Sequence, residues 1–444
     1  MKMVTLYAVM LGTALAGSCC LAASANAAGG ACVECHKKQN PGLYQQWKNS
    51  KHGQQGVSCL DCHKAEKGDA DAFTHHGALI ATLVTPKDCS QCHPKEAEQA
   101  MHSYHANAGE ILESADAYMA HVAGGEPVAI TGCENCHGAK VKIDPNAPNK
   151  LSRKTWPNSG IGRINPDGSK GACNACHSRH SFSKAQAREP ENCGKCHLGP
   201  DHPQKEIYEE SKHGIAYAAH KDKLNLNKDR WVVGKDYYEA PTCATCHMSA
   251  TAKQPASHDV GGRISWTLRP PISKHKDNWK AKRANMEEVC LNCHQQRFVD
   301  GHYYQYDATV ELYNEKFGKP ATAIMDMIKK RGLLEHKADF ANDIEWQYWE
   351  LWHHEGRRAR MGAAMIGPDY TWWHGIYDVA YNFYFKFIPE ARRYNDPEVN
   401  AYIDNLLTKD NMHNWVNKST DELKKAIRSG ELQKVYEELF KKNM

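Results

Sequence analysis

The hydrophobic pattern of the chain changes character twice. An apolar run begins at Val4 and ends in small residues, "VTLYAVMLGTALAGSCCLAASANAA". From Ala28 to about Asp300, polar loops such as "DPNAPNKLSRKTWPNSGIGRINPDGSKG" join short helical stretches, with no sustained apolar period. Beyond Gly301, helical runs alternate with glycine or proline stops, as in "EKFGKPATAIMDMIKKRGLLEHKADFANDIEWQYWELWHHEGRRARMGAAMIG". "PDYTWWHGIYDVAYNFYFKFIPEARRYN" continues this pattern, and Thr420-Asp-Glu-Leu offers a capped, acidic start to another helix. The pattern predicts a mainly α protein with little β: a leader over 1–27, short helices and loops over 28–300, and a long-helix bundle over 301–444. The aromatic faces of that bundle suit a core or a subunit interface.

Lys2, the apolar run and Ala25-Asn26-Ala27 fit a secretory signal cleaved after Ala27. The run falls short of the ~20 residues a membrane span needs. "LAGSC" lacks the bulky aliphatic residue a lipoprotein box wants, with Ala16 in its place, and the charged C-terminus offers no anchor. These features point to export to the periplasm with no membrane span in the mature chain. A net charge of +4, from 56 basic and 52 acidic residues, gives no basis for binding nucleic acid. Hydrophobic residues make up 41 % of 444, a modest share, so part of the core volume is expected to come from something other than side chains.

Cysteine and histidine change the picture most, at 18 and 26 residues. Apart from Cys19 and Cys20 in the leader, every cysteine belongs to a Cys-x-x-Cys-His box. The first four boxes pair Cys32 with Cys35, Cys59 with Cys62, Cys89 with Cys92, and Cys133 with Cys136. The last four pair Cys173 with Cys176, Cys193 with Cys196, Cys243 with Cys246, and Cys290 with Cys293. The histidines that close them are His36, His63, His93, His137, His177, His197, His247 and His294. A disulfide framework does not require a histidine after every second cysteine, and paired zinc knuckles would not specify it in all eight. Thioredoxin-type pairs would not occur eightfold. The spacing is that of c-type haem attachment, with two thiols for the vinyl groups and the next histidine as proximal iron ligand. Eight c-type haems are therefore expected, packed into the region 28–300.

Eighteen histidines remain for distal positions. "WKNSKHG" and "YEESKHG" each read as a short polar helix ending at glycine, with His52 or His213 near its end. His52, His76, His105, His121, His180, His213 and His302 are the distal candidates, with His75, His102 and His220 competing. In "CHLGPDHPQ", two prolines stiffen a loop carrying Asp201 beside His202, a carboxylate–imidazole pair suited to proton relay; a loop aspartate next to a distal ligand is the other reading.

The eight boxes, with "GIGRINPDGSKGACNACHSRHSFS", "CGKCHLGPDHPQKEIYEESKHG", "PTCATCHM" and "PDYTWWHG", resemble the hydroxylamine oxidoreductase family of octahaem cytochromes c over nearly the whole chain beyond the leader. The resemblance implies a mostly helical homotrimer with a close-packed haem network. It implies a catalytic haem on Cys133, Cys136 and His137, with Asp201 and His202 facing the open side of its iron. Oxidative members act on hydroxylamine or hydrazine and carry a tyrosine cross-link from a neighbouring subunit, for which Tyr370 and Tyr377 are the candidates. Members without it suit reduction of nitrite or hydroxylamine to ammonium. The lack of a C-terminal membrane helix, which some oxidative relatives have, leans this chain towards reduction. An external cytochrome c or quinone-linked protein is the implied redox partner, and a small inorganic nitrogen compound the substrate.

All eight boxes end in histidine, whereas pentahaem nitrite reductases carry a lysine in the catalytic box; this argues against that family and against reduction of sulfur oxyanions. A non-catalytic electron conduit, with every iron six-coordinate, is the competing class, because histidines are plentiful.

Overall fold

A computed structural model describes residues 22–113 and 118–441. The segment read as a leader lies outside the described residues except for its last six, which begin the helix Ala22–Gln39. Among the described residues the fold is mainly helical, with two two-stranded antiparallel hairpins, Phe73–His75 with Ala78–Ile80 and Trp266–Thr267 with Lys274–His275. Among the described residues no helix is long and apolar enough to cross a membrane.

The chain forms two compact units. Of the described residues, one takes those up to Val84 with Ile143–Leu151 and Ser178–Phe182; the other takes those of 85–142, Ser152–His177 and those from Ser183 onward. The composition break near residue 300 marks where the boxes stop, while the compact division falls at Val84. The first unit holds the first two boxes. Cys32 and Cys35 lie one turn apart within the helix Ala22–Gln39, and Cys59 and Cys62 lie in the short helix Cys59–His63. The hairpin of this unit turns at His76 and Gly77, both with positive φ (47° and 83°), which places His75 at the end of a strand and His76 in the turn.

In the second unit, boxes sit where short helices are locally capped. Thr85 accepts from the Asp88 amide (3.4 Å) while Asp88 accepts from the Thr85 amide (2.8 Å), fixing the helix Pro86–Ser90 that carries Cys89. Cys92 falls two residues beyond the end of that helix, where its amide donates to the Cys89 carbonyl (3.2 Å). The long helices Gln296–Tyr313, Lys319–Lys330, Gly356–Met365 and Pro397–Lys409 surround a core that includes Tyr313, Phe317, Ile324, Ile328, Leu351, Phe383, Phe387 and Ile403. A second core gathers Tyr208, Tyr217, Leu224, Trp231, Tyr237 and Val289 beneath the sixth and seventh boxes. Several long helices contain π-helical turns, among them Glu350–Glu355 and Trp372–Tyr377. Trp373, Tyr377, Tyr381 and Phe385 recur at helical spacing and are about half exposed (48–62 %), so this aromatic face is not covered within the chain. The helix Thr420–Arg428 has its cap one residue earlier than the sequence pattern suggests, at Ser419, with Asp421 and Glu422 in its first turn.

One local prediction is corrected. Ser-Lys-His-Gly does not end a helix; it starts one. Ser211 donates to the Tyr208 carbonyl (2.7 Å) that closes the helix Gln204–Glu210, and accepts from the Gly214 amide (3.1 Å) as N-cap of the helix Lys212–His220. Gly214 lies so close to the Tyr208 carbonyl that a Cβ would overlap it. Ser50 and Gly53 repeat this arrangement against the Trp47 carbonyl. The glycine is required by close helix–helix approach, and the histidine stands in the first turn instead of the last.

Candidate active site

The box cysteines differ in how deeply they are set. Cys92 and Cys293 are exposed, and the others, Cys35 and Cys62 among them, are half-buried. Burial pushes the Cys246 thiol up to about 12 and the Cys176 and Cys290 thiols to about 11. The expected thioether role of Cys35, Cys62 and Cys92 rests on the box spacing, since their placement on or just past a short helical turn does not by itself select haem. What selects it is the histidines.

A metal-bound imidazole nitrogen lies about 2 Å from its metal, with the ring centre about 1 Å farther on, so two rings flanking one ion have centres about 6 Å apart. Five box histidines face a second histidine at that distance: His36 and His75 (6.2 Å), His63 and His180 (6.3 Å), His177 and His258 (6.4 Å), His197 and His105 (6.0 Å), His294 and His213 (6.0 Å). The outward nitrogens are held as metal-ligating imidazoles require. Nδ1 of His63 meets the Ala81 carbonyl (2.9 Å), Nδ1 of His137 the Ala108 carbonyl (3.3 Å), Nδ1 of His36 the Asn40 side chain (2.8 Å) and Nδ1 of His197 the Gln204 side chain (3.3 Å). Each leaves Nε2 for a ligand. Burial pushes His197 down to about 3 and His105 and His180 to about 4, so these rings are neutral and able to ligate at neutral pH. The residues present thus fit iron held between paired imidazoles.

Of the distal candidates, the structure brings His105, His180 and His213 opposite box histidines. His75 faces His36, while His76 packs edge-on against His75 (4.6 Å). His52 lies edge-on to Phe182 (5.1 Å), His302 stacks on Tyr306 (6.2 Å), and His121 is exposed in the π-helical turn Ala120–Gly124. His258, opposite His177, has no sequence signal: it sits in a loop eighty-one positions away. Among the remaining box histidines, His93 begins the helix Pro94–His102, and His247 is pushed down by burial.

His137 has a different neighbourhood. Its electrostatic surroundings include both His202 and Asp201. Asp201 Oδ1 accepts from His202 Nδ1, and His202 Nε2 meets the Cys196 carbonyl (2.8 Å). Cys136 and Cys196 share a thiol hydrogen bond that brings Cys136 down to about 6 despite burial. The fourth box, the sixth box and the Asp201–His202 pair therefore form one cluster. Both His202 nitrogens face acceptors, an arrangement satisfied only when both carry protons. Burial opposes that charge, but Asp201 and the Cys196 carbonyl outweigh it and raise the imidazole above its ordinary value. Asp201 falls to about 2, because His202, then His353 and the Arg357 guanidinium, outweigh the opposing effect of burial.

Residues 166–340 match the family model described as "Seven times multi-haem cytochrome CxxCH". A probable nitrite reductase-hydroxylamine oxidoreductase fusion protein of Kuenenia stuttgartiensis is 24 % identical over 460 residues, covering 78 % of this chain and 49 % of that protein. The chain spans about half that relative's length. The fold matches a solved hypothetical multihaem protein with a TM-score of 0.74, at 24 % identity over 85 % of this chain and 100 % of the other. Residues 166–340 are thus similar to multihaem c-type cytochromes, and the fold of the chain is that of solved multihaem proteins. A reducing hydroxylamine oxidoreductase-like complex of Kuenenia stuttgartiensis matches the fold of this chain with a TM-score of 0.63, at 21 % identity over 86 % of this chain and 88 % of the other. In this chain, Tyr377 is 48 % exposed on the aromatic face, and Tyr370 stacks on His374 (5.3 Å).

Proposed function

We propose that this chain is an exported, periplasmic oxidoreductase of small inorganic nitrogen compounds, reducing nitrite or hydroxylamine to ammonium. Its eight boxes would carry eight c-type haems, with the catalytic one on Cys133, Cys136 and His137. The observation that carries this reading is the Asp201–His202 pair in the electrostatic surroundings of His137, which is not among the five box histidines that face a second histidine at about 6 Å. The name of the Kuenenia relative supports the substrate class. The bound haem supplies electron transfer and a coordination position for the substrate nitrogen.

The chain's own residues handle protons. Asp201 holds Nδ1–H of His202, which fixes the plane of the ring and leaves the Nδ1–H tautomer once Nε2 has given up its proton. Nε2–H is the transferable proton, resting on the Cys196 carbonyl until a better acceptor arrives. A ring that rests doubly protonated is a proton donor, which suits cleavage of nitrogen–oxygen bonds in the reductive direction. The five facing histidine pairs suit transfer to and from an external cytochrome c or quinone-linked partner.

A second reading, hydroxylamine or hydrazine oxidation in a homotrimer, rests on Tyr377, which is half exposed and so open to a bond with another subunit. A haem-stained denaturing gel separates the two. Haem-bearing monomers alone accord with reduction; haem-bearing trimers that survive boiling show a covalent bridge and favour oxidation. The test of the site itself is His202→Ala. Turnover of nitrite and hydroxylamine with a reduced dye is expected to fall about 100-fold or more with haem content unchanged. Unchanged turnover would remove His202 from the mechanism, and a protein without any high-spin ferric signal would be an electron conduit.

A further inference from the structure

The second carboxylate oxygen of Asp201 has a partner that no sequence pattern announces. Arg357 Nη1 donates to Asp201 Oδ2 (3.1 Å) across 156 positions, and both side chains are mostly buried, at 12 % and 19 % exposure. The guanidinium is itself held elsewhere. Its Nε donates to the Arg269 carbonyl (2.8 Å), and its carbon lies 5.2 Å from the centre of the Trp352 ring. An arginine held at Nη1, at Nε and along its face has little freedom left, and its single Nη1–H bond fixes where Oδ2 lies.

The support beneath Arg357 is rigid. It lies in the first turn of the helix Gly356–Met365, where Gly356 packs so closely on Tyr313 that a Cβ would overlap the ring. Arg360, on the same helix and fully buried, donates to the Pro270 carbonyl (3.1 Å) and Ser273 Oγ (2.5 Å). Two arginines three positions apart thus clasp the segment 269–273. Arg360 docks the helix, which leaves Arg357's contact with Asp201 as a contribution beyond docking.

We propose that Arg357 is a positioning residue for the Asp201–His202 pair, holding Oδ2 so that Oδ1 alone faces the imidazole. This rests on the reading of that pair as the proton-handling group. Without the guanidinium the carboxylate is free to turn about its Cβ–Cγ bond, and His202, hydrogen-bonded through Nδ1, turns with it. The proton step is slowed while substrate binding is left as it was.

The test uses the full haem-loaded protein and the variants Arg357→Gln, Arg357→Lys and His202→Ala, assayed with nitrite and hydroxylamine. The expected result for Arg357→Gln is a fall in kcat of roughly 10- to 100-fold with KM within about 2-fold, the order of loss that a misplaced reacting group produces. Arg357→Lys, which keeps a cationic donor near Oδ2 but loses the Nε and ring-face supports, is expected to recover part of that loss, and the thermal midpoint and haem spectrum of the lysine variant are expected to match the parent. Wild-type kcat in Arg357→Gln, or kcat and KM changing together, overturns the inference. So does a lysine variant no better than glutamine. If His202→Ala keeps full activity, the proton-handling reading itself fails; if His202→Ala is slow and Arg357→Gln is not, only the role of Arg357 fails.

Discussion

Glu355 is an acid in the wrong place to be charged, and replacing it with glutamine tests that directly. It is 8 % exposed; Oε1 accepts a long hydrogen bond from Asn382 Nδ2 (3.3 Å) and Oε2 has no partner. Burial raises its pKa to about 8, with Asp378 and Glu350 adding to the shift and Asn382 and Arg358 opposing it. In the unfolded chain the same group ionises near 4.5. Between these values the native state holds a proton that the unfolded state has released, so stability falls as pH rises from the lower to the higher. At about 1.4 kcal/mol per pH unit, the loss reaches roughly 3 kcal/mol at pH 7 and levels off above pH 8. Glutamine has the same shape and does not titrate. Urea midpoints of the haem-loaded protein, followed by far-UV circular dichroism from pH 5 to 8, are expected to show the Glu355→Gln variant gaining on the parent by about 3 kcal/mol across that range. A difference that stays constant with pH would refute the assignment of a neutral acid at this position.

Two further substitutions probe the histidine geometry. His75→Ala is expected to convert the haem of the first box to a high-spin ferric signal by electron paramagnetic resonance, and His76→Ala to leave the spectrum as it was, because His75 faces His36 and His76 occupies the hairpin turn. Gly214→Ala forces the helices Gln204–Glu210 and Lys212–His220 apart. It is expected to cost about 1–3 kcal/mol in the same urea assay and to add a high-spin fraction as His213 leaves His294; an unchanged midpoint would contradict the close approach.

The boxes, the break in character near residue 300 and the Asp201–His202 pair were legible in the sequence because each is a local pattern. Pairing between histidines was not, because it depends on the path of the chain. His75 and His76 differ only in backbone conformation, one in a strand and one at φ 47°. His258 reaches His177 from a loop whose composition marks it as nothing in particular. Arg357 is one arginine among the basic residues of a helix, and only packing against Tyr313 and Trp352 turns it towards Asp201. The Ser-Lys-His-Gly phrases did carry a usable signal: serine followed three residues later by glycine marks a helix start as readily as a helix end.

That phrase behaves as a cassette. Ser50, Ser103 and Ser211 each fold their hydroxyl back onto the last carbonyls of the preceding helix, Trp47, Ala100 and Tyr208, at 2.7 Å in every case. A histidine follows two positions later and a glycine or alanine three. Two of these histidines, His105 and His213, meet their partners with the same 6.0 Å separation and the same 50° tilt. A short stretch of chain thus ties an imidazole two positions past the serine to the end of the helix before it. Grafted between two helices of a designed bundle, Ser-x-His-Gly should deliver an oriented metal ligand without a bespoke loop.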